Sequence, residues 1–250
     1  MNATSRPSLS RGGTLLFLIG FVAGAWLLGG IAWAGLEASL FDAGVAGEHL
    51  SSLRCSLVIT PDESARAWIR LSNPLDRPIQ QFVRWRLARR HILLVDEEKV
   101  SFSLEPAEKL ILQHCCEPSA GVYGGRFVMI SAYVSSAYPI PARAGSCGVW
   151  VVHIPRLKGV HILILGSLLA VAGMGAGWRL RGRTQASDNS SEGALALMLA
   201  FFIIGMGSAW LFRWWVVAGL AELLMLLTLA VWLFQRIDQR WLQVKPPIEK

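Results

Sequence analysis

Residues 66–87 read RAWIRLSNPLDRPIQQFVRWRL, and two alternations with a break between them decide the fold. Ala67, Ile69 and Leu71 alternate with Arg66, Trp68 and Arg70, the period of two expected of a half-buried strand. Gln81, Val83, Trp85 and Leu87 face one way and Arg84 and Arg86 the other, which gives a second strand. Between them Asn73-Pro74-Leu75-Asp76-Arg77-Pro78 turns, because two prolines fix φ and remove two backbone donors.

The same short pattern continues on both sides. Residues 53–59 supply a strand ahead of this pair, closed by the turn Pro61-Asp62-Glu63. Residues 91–95 supply a further strand, which the charged turn Asp96-Glu97-Glu98-Lys99 closes; residues 100–104, 110–112, 127–133 and 148–154 follow. Seven or eight short strands at roughly ten-residue spacing, separated by Pro and Gly turns, argue for an antiparallel β-sandwich over residues 53–155.

Two short motifs carry a resemblance. Leu104-Glu105-Pro106-Ala107-Glu108 looks like the L-x-P-G-E crossover of bacterial immunoglobulin-like and fibronectin-III-like ectodomains, with Ala107 in place of glycine. Ala120-Gly121-Val122-Tyr123 resembles the Gly-x-Tyr of a tyrosine corner. The resemblance spans about 100 residues and implies the fold only, because this sandwich serves unrelated roles.

The rest of the chain is of another kind. With 53% hydrophobic and 16% charged residues, it lies outside the usual soluble balance. Its apolar residues are clumped: residues 14–35, 159–178 and 194–212 hold no Asp, Glu, Lys or Arg, and residues 214–234 hold only Glu222. Each run has about the 20 residues that a helix needs to cross some 30 Å of hydrocarbon. The last two are parted by Arg213 alone, yet one continuous helix of about 40 residues would be roughly 60 Å long, twice the bilayer core. They therefore fold back as a hairpin. The expected class is an α+β membrane protein, with four transmembrane helices and an Ig-like β-sandwich inserted between the first and second.

Charge orients these spans, because basic flanks resist translocation. Arg6 and Arg11 precede the first span, Arg179, Arg181 and Arg183 follow the second, and Arg236, Arg240, Lys245 and Lys250 follow the fourth. Residues 1–13, 179–193 and 235–250 are thus expected in the cytoplasm, and the sandwich outside it, in a plasma-membrane protein. Trp33, Trp210, Trp214 and Trp215 then fall at the outer interface, and Trp178, Trp232 and Trp241 at the inner one. Arg11, the apolar run and Ala32-Trp33-Ala34 imitate a signal peptide, but the run exceeds the usual h-region, which favours an uncleaved anchor. Residues 36–52 read as a stalk. Small residues recur in the spans at Gly20 and Gly24, at Gly173, Gly175 and Gly177, and at Gly205 and Gly207, a spacing that lets helices approach closely. Ser190 or Ser191 can cap the third span.

All four cysteines fall in the outside segment, and in an oxidising compartment they read as disulfides. Cys55 with Cys147 is the favoured pair, since it ties the first strand to the last. In the entropic account, closing about 90 residues restrains the unfolded chain by roughly 4 to 5 kcal/mol. Cys115 and Cys116 are adjacent and are open to a vicinal disulfide, to free thiols or to pairing with a partner chain.

Candidate sites are few. His114-Cys115-Cys116 is the one cluster resembling metal chemistry, and His91 or His153 could complete it. No C-x-x-C, haem or blue-copper spacing accompanies it, so the expectation is no metal and no cofactor. Glu222 is the one carboxylate inside a span, a costly placement that calls for a partner or a cavity. Arg84, Arg86, Arg89 and Arg90 form a basic run, either balanced by Asp96, Glu97 and Glu98 or free to contact anionic headgroups or envelope polymers. Nucleic acid is excluded as a partner, since the segment faces outside and lacks an interleaved aromatic platform. No Gly-x-Ser-x-Gly elbow or phosphate loop occurs. The expected role is therefore non-catalytic: a domain that recognises or assembles, as an accessory subunit beside other membrane proteins or a second copy. A small transport or redox component using Glu222 or the His114 to Cys116 cluster is the alternative.

Overall fold

The structure, a computed structural model, describes residues 6–41, 47–182 and 189–244. The chain is α+β: four long apolar helices and a β-sheet region that holds one disulfide. It divides into two units, one of residues 1–29 and 164–250, the other of residues 30–163. Both boundaries fall inside helices. Asp42, Asp188, Lys245 and Lys250 lie outside the described residues, as do the side chains of Arg6, Arg11, Ser190 and Ser191.

In the first unit, helix α1 (Arg6–Phe41) contributes its first part. Gly20 meets the backbone of Gly173 and Met174, where an added Cβ would lie 2.6 Å from the Met174 nitrogen. Two helices reach such a distance only when neither carries a side chain at the crossing. The expectation of close packing thus holds at Gly20, Gly24, Gly173, Gly177 and Gly205, whereas Gly175 and Gly207 face open space. The last two spans do fold back: α4 (Asn189–Gly207) runs into a π-helical turn over Ser208–Phe212, Arg213 takes a left-handed conformation at φ 59°, and α5 (Trp215–Val244) returns. All four helices are long and apolar enough to cross a membrane. Not every tryptophan read as an interface residue faces outward, since Trp215 and Trp232 are buried. The Arg213 guanidinium lies 5.7 Å from the Trp215 ring centre, and that of Arg181 lies 5.3 Å from Trp232.

The described residues of the second unit form nine strands: β1 (Glu48–His49), β2 (Leu53–Cys55), β3 (Val58–Ile59), β4 (Ala65–Ser72), β5 (Ile79–Arg89), β6 (His91–Leu104), β7 (Lys109–Cys116), β8 (Phe127–Val134) and β9 (Arg143–Val151). One sheet has the order β1-β9-β8-β5-β6 with β3 also on β9, and the other has the order β2-β4-β7. Ile69 and Leu71 from the smaller sheet, and Val83, Trp85, Ile130 and Val149 from the larger, share one core. The disulfide between Cys55 and Cys147 crosses from β2 to β9 through that core, as position in the chain implied.

The larger sheet has a second covered face. Gly148 and Trp150 alternate with the inward Cys147, Val149 and Val151, and they meet the end of α1: Gly148 lies against the Ala34 carbonyl, and Trp150 fills the space beside Gly30. Ala38, Ala88, Met129 and Val122, the first residue of the one-turn helix α2 (Val122–Gly125), form a small cluster beside them. Residues 36–52, read as a stalk, are therefore part of the fold where described, with α1 continuing to Phe41 and β1 pairing with β9.

The strand boundaries need four corrections, the first being that the strand read over residues 148–154 is β9, which starts at Arg143 and ends at Val151. Asp96-Glu97-Glu98-Lys99 is not a turn: it lies within the single 14-residue strand β6, where Asp96 and Glu97 meet arginines on β5. Residues 53–59 split into β2 and β3, one in each sheet. Residues 110–112 lengthen to β7, which takes in His114, Cys115 and Cys116. The turn at Asn73 is as read. Its buried amide Nδ2 donates to the carbonyls of Arg77, Leu104 and Glu105, and Oδ1 accepts from the Leu75 N–H. A second junction closes at Glu63, whose Oε2 accepts from the backbone N–H of Gly159 at 2.6 Å, and so caps α3 (Gly159–Gly182). Burial alone would raise this carboxyl. The Gly159 and Thr60 hydrogen bonds and the charge of Lys158 outweigh it and hold the group below its ordinary 4.5.

Candidate functional site

The basic run of β5 is matched by acids in the next strand. Antiparallel pairing sets Arg86 opposite Glu97 and Arg84 opposite Lys99. Glu97 lies 3.5 Å from Arg84 and 3.9 Å from Arg86, while Arg89 lies 3.3 Å from Asp96. Arg84 also sits over the Tyr133 ring, and Lys99 sits 4.1 Å from the Phe82 ring centre. Arg90 stands apart in the hairpin turn at φ 58°, on the rim of a shallow depression near Tyr123. Tyr123 itself is exposed, has a left-handed backbone at φ 53°, and donates its hydroxyl to Glu37. It is not packed back onto its own strand as a tyrosine corner would be.

Strand alternation separates the His114 cluster. His114 points between the sheets, stacked on Trp85 with ring centres 5.3 Å apart and with Nδ1 3.4 Å from Glu98 Oε2. Cys115 points outward and is exposed, and Cys116 is buried; both are free thiols. Burial, and then the charges of Cys115 and Glu98, push the Cys116 thiol up to about 12, so it stays protonated. Among the described residues no three His, Cys, Asp or Glu side chains come together as metal ligands, His91 and His153 included. In the helical unit Glu222 is half-buried on α5 beside Gly29 of α1, and its Oε2 has no hydrogen-bond partner among the described residues.

Two features went unread in the sequence. The first is the outer face of the smaller sheet. Arg66, Trp68 and Arg70 project from β4, with Arg54 of β2 opposite Trp68 on one side and Gln113 of β7 on the other. Trp68 is 38% exposed, and none of the three arginines has an ion pair among the described residues. The alternation was visible, but nothing in it showed that the balancing acids belong to the other sheet. The second is a polar cleft of about 390 Å³ beyond the end of β4, walled by Arg70, Ser72, the segment from Glu48 to Ser52 and Arg143.

No protein-family model matches this chain, and no curated protein does. Its function is therefore read from side-chain chemistry.

Proposed function

We propose that this chain is a non-catalytic integral membrane protein whose domain outside the cytoplasm, an immunoglobulin-like sandwich, is an interaction module, and that it works as an accessory subunit of a membrane complex. The four apolar helices and the basic flanks of their cytoplasmic ends support the membrane placement, with both termini inside. The strand order supports the fold. With β1 and β3 set aside, the seven remaining strands sort as first-second-fifth in one sheet and seventh-sixth-third-fourth in the other, the division of a Greek-key sandwich. Ala107 adds to this. It takes φ 60° in the crossover between β6 and β7, where the related motif has glycine.

The observation that carries the functional reading is Trp68 set among Arg54, Arg66 and Arg70. Trp and Arg are the residue types that most often anchor protein interfaces, and an exposed Trp ringed by uncompensated guanidinium groups suits an acidic partner surface. The thiols speak against a redox component, because Cys115 and Cys116 lie on opposite faces and cannot close on each other.

The test is native mass determination after extraction in mild detergent. The wild-type chain is expected to carry a stoichiometric membrane partner or a second copy, and the Trp68→Ala/Arg66→Glu chain to lose it. A chain that runs alone in both forms, or substrate-driven ion flux from the isolated chain in vesicles, contradicts the proposal.

A further inference from the structure

The smaller sheet ends on an open edge. β7 pairs with β4 alone, and β4 pairs with β2 on its other side. Two hydrogen bonds fix the phase of these ladders. The Ser56 N–H donates to the Arg66 carbonyl on the β2 side, and the Asn73 N–H donates to the Glu108 carbonyl on the β7 side. Because the direction of the backbone groups alternates along a strand, the even-numbered residues of β4 turn theirs to β2 and the odd-numbered ones to β7. The partners of those odd-numbered residues are Leu110, Leu112, His114 and Cys116. Lys109, Ile111, Gln113 and Cys115 accordingly present their backbone N–H and C=O groups to the open side, where nothing pairs with them among the described residues. Such an edge is a template for another strand, and charge or proline along it is the usual guard. The long outer strand of the other sheet has that guard, since β6 carries Asp96, Glu97, Glu98 and Lys99 in succession. Residues 110–116 of β7 hold no proline and no Asp, Glu, Lys or Arg.

We infer, taking the interaction role proposed above as given, that the open edge of β7 receives an extended acidic strand from a partner protein. The backbone ladder supplies the affinity, and alternate side chains of the added strand select the partner. On its inward face, apolar side chains extend the cover over Leu110 and Leu112, which are only partly buried against the core. On its outward face, side chains come beside Lys109, Ile111 and Gln113, with Arg66, Trp68 and Arg70 one strand further in. Ile111 is 51% exposed there. That face of the sheet holds Arg54, Arg66, Arg70 and Lys109, and the three strands contain no Asp or Glu, which favours carboxylates at the outward positions of the added strand. A second copy pairing through the same edge would instead set two basic faces side by side.

Calorimetric titration of the full chain in detergent with a capped peptide of alternating glutamate and valine tests it, with the lysine and valine counterpart as comparison probe. Saturable binding of the glutamate peptide near or below about 1 mM is expected, at least tenfold tighter than of the lysine peptide. Ile111→Pro and Gln113→Pro each remove an N–H from the open side and none from the ladder to β4, a place where a strand tolerates proline. Each is expected to keep the unfolding midpoint within a few degrees of wild type, to weaken the glutamate peptide at least tenfold, and to lose the partner in the native mass measurement. Absence of saturable glutamate-peptide binding, equal affinity for the lysine peptide, or folded proline variants that bind as wild type, each overturns the assignment. A native mass in which a second copy occupies the wild-type chain and leaves both proline variants overturns it as well. Loss of the partner in Trp68→Ala/Arg66→Glu but not in the proline variants removes the edge proposal and leaves the interface standing.

Discussion

Single side chains close the two main junctions of the β unit, and their effects are separable. Asn73 ties three carbonyls and one N–H of two connections through one buried amide. Asn73→Ala is expected to cost about 3 kcal/mol, read as a shift of the thermal unfolding midpoint, because buried backbone groups would lose their partners. Asn73→Asp would lose the donors and keep the acceptor, and is expected to be nearly as harmful. Glu63 gives a pH signature. Its carboxyl is held below 4.5 in the folded chain, so its contribution is present in full above that value and fades as the pH falls through the folded value. Glu63→Gln is accordingly expected to lower stability by about 1 kcal/mol near neutrality, and the difference from wild type to shrink as the pH is brought below 4.5. The proline-bounded turn was legible from sequence. The role of Glu63 was not, because its partner Gly159 lies 96 residues away.

Among the elements, the helices and the alternating strands were the legible part, since composition and period act locally. β4 follows its pattern without a slip, buried at Ala65, Ala67, Ile69 and Leu71 and exposed between them. β6 was misread because four consecutive charges look like a solvated turn. Their partners sit on the neighbouring strand, and no local pattern reveals that. The cleft was invisible for the same reason, being assembled from five separate segments. Close helix and sheet approaches give the sharpest test at this scale. A Cβ at Gly148 would run into the Ala34 carbonyl, and one at Gly20 would meet Met174 backbone, neither of which can rotate away. Gly148→Ala and Gly20→Ala are each expected to cost about 1 to 3 kcal/mol, whereas Gly175→Ala, which faces open space, is expected to be neutral or slightly stabilising. Unfolding of the three purified variants in one detergent provides the comparison.

For the molecule as a whole, the disulfide and the placement of charge tell one story. Cys55 and Cys147 are 92 residues apart and cross-link the two sheets near the ends of the β unit. Replacing both with alanine is expected to lower stability by about 2 to 5 kcal/mol and to abolish the dependence of the unfolding midpoint on reductant. The free thiol at Cys115 offers a direct probe of placement, because it is exposed while Cys116 is buried and protonated. The decisive measurement is reaction with a maleimide that cannot cross lipid, applied to intact cells stripped of any outer layer. Labelling of Cys115 in those cells, with a Lys250→Cys chain gaining a second label only after permeabilisation, is the expected result. A Cys115 that reacts only after permeabilisation, or a Lys250→Cys label gained without it, would put the β unit on the cytoplasmic side and contradict the account.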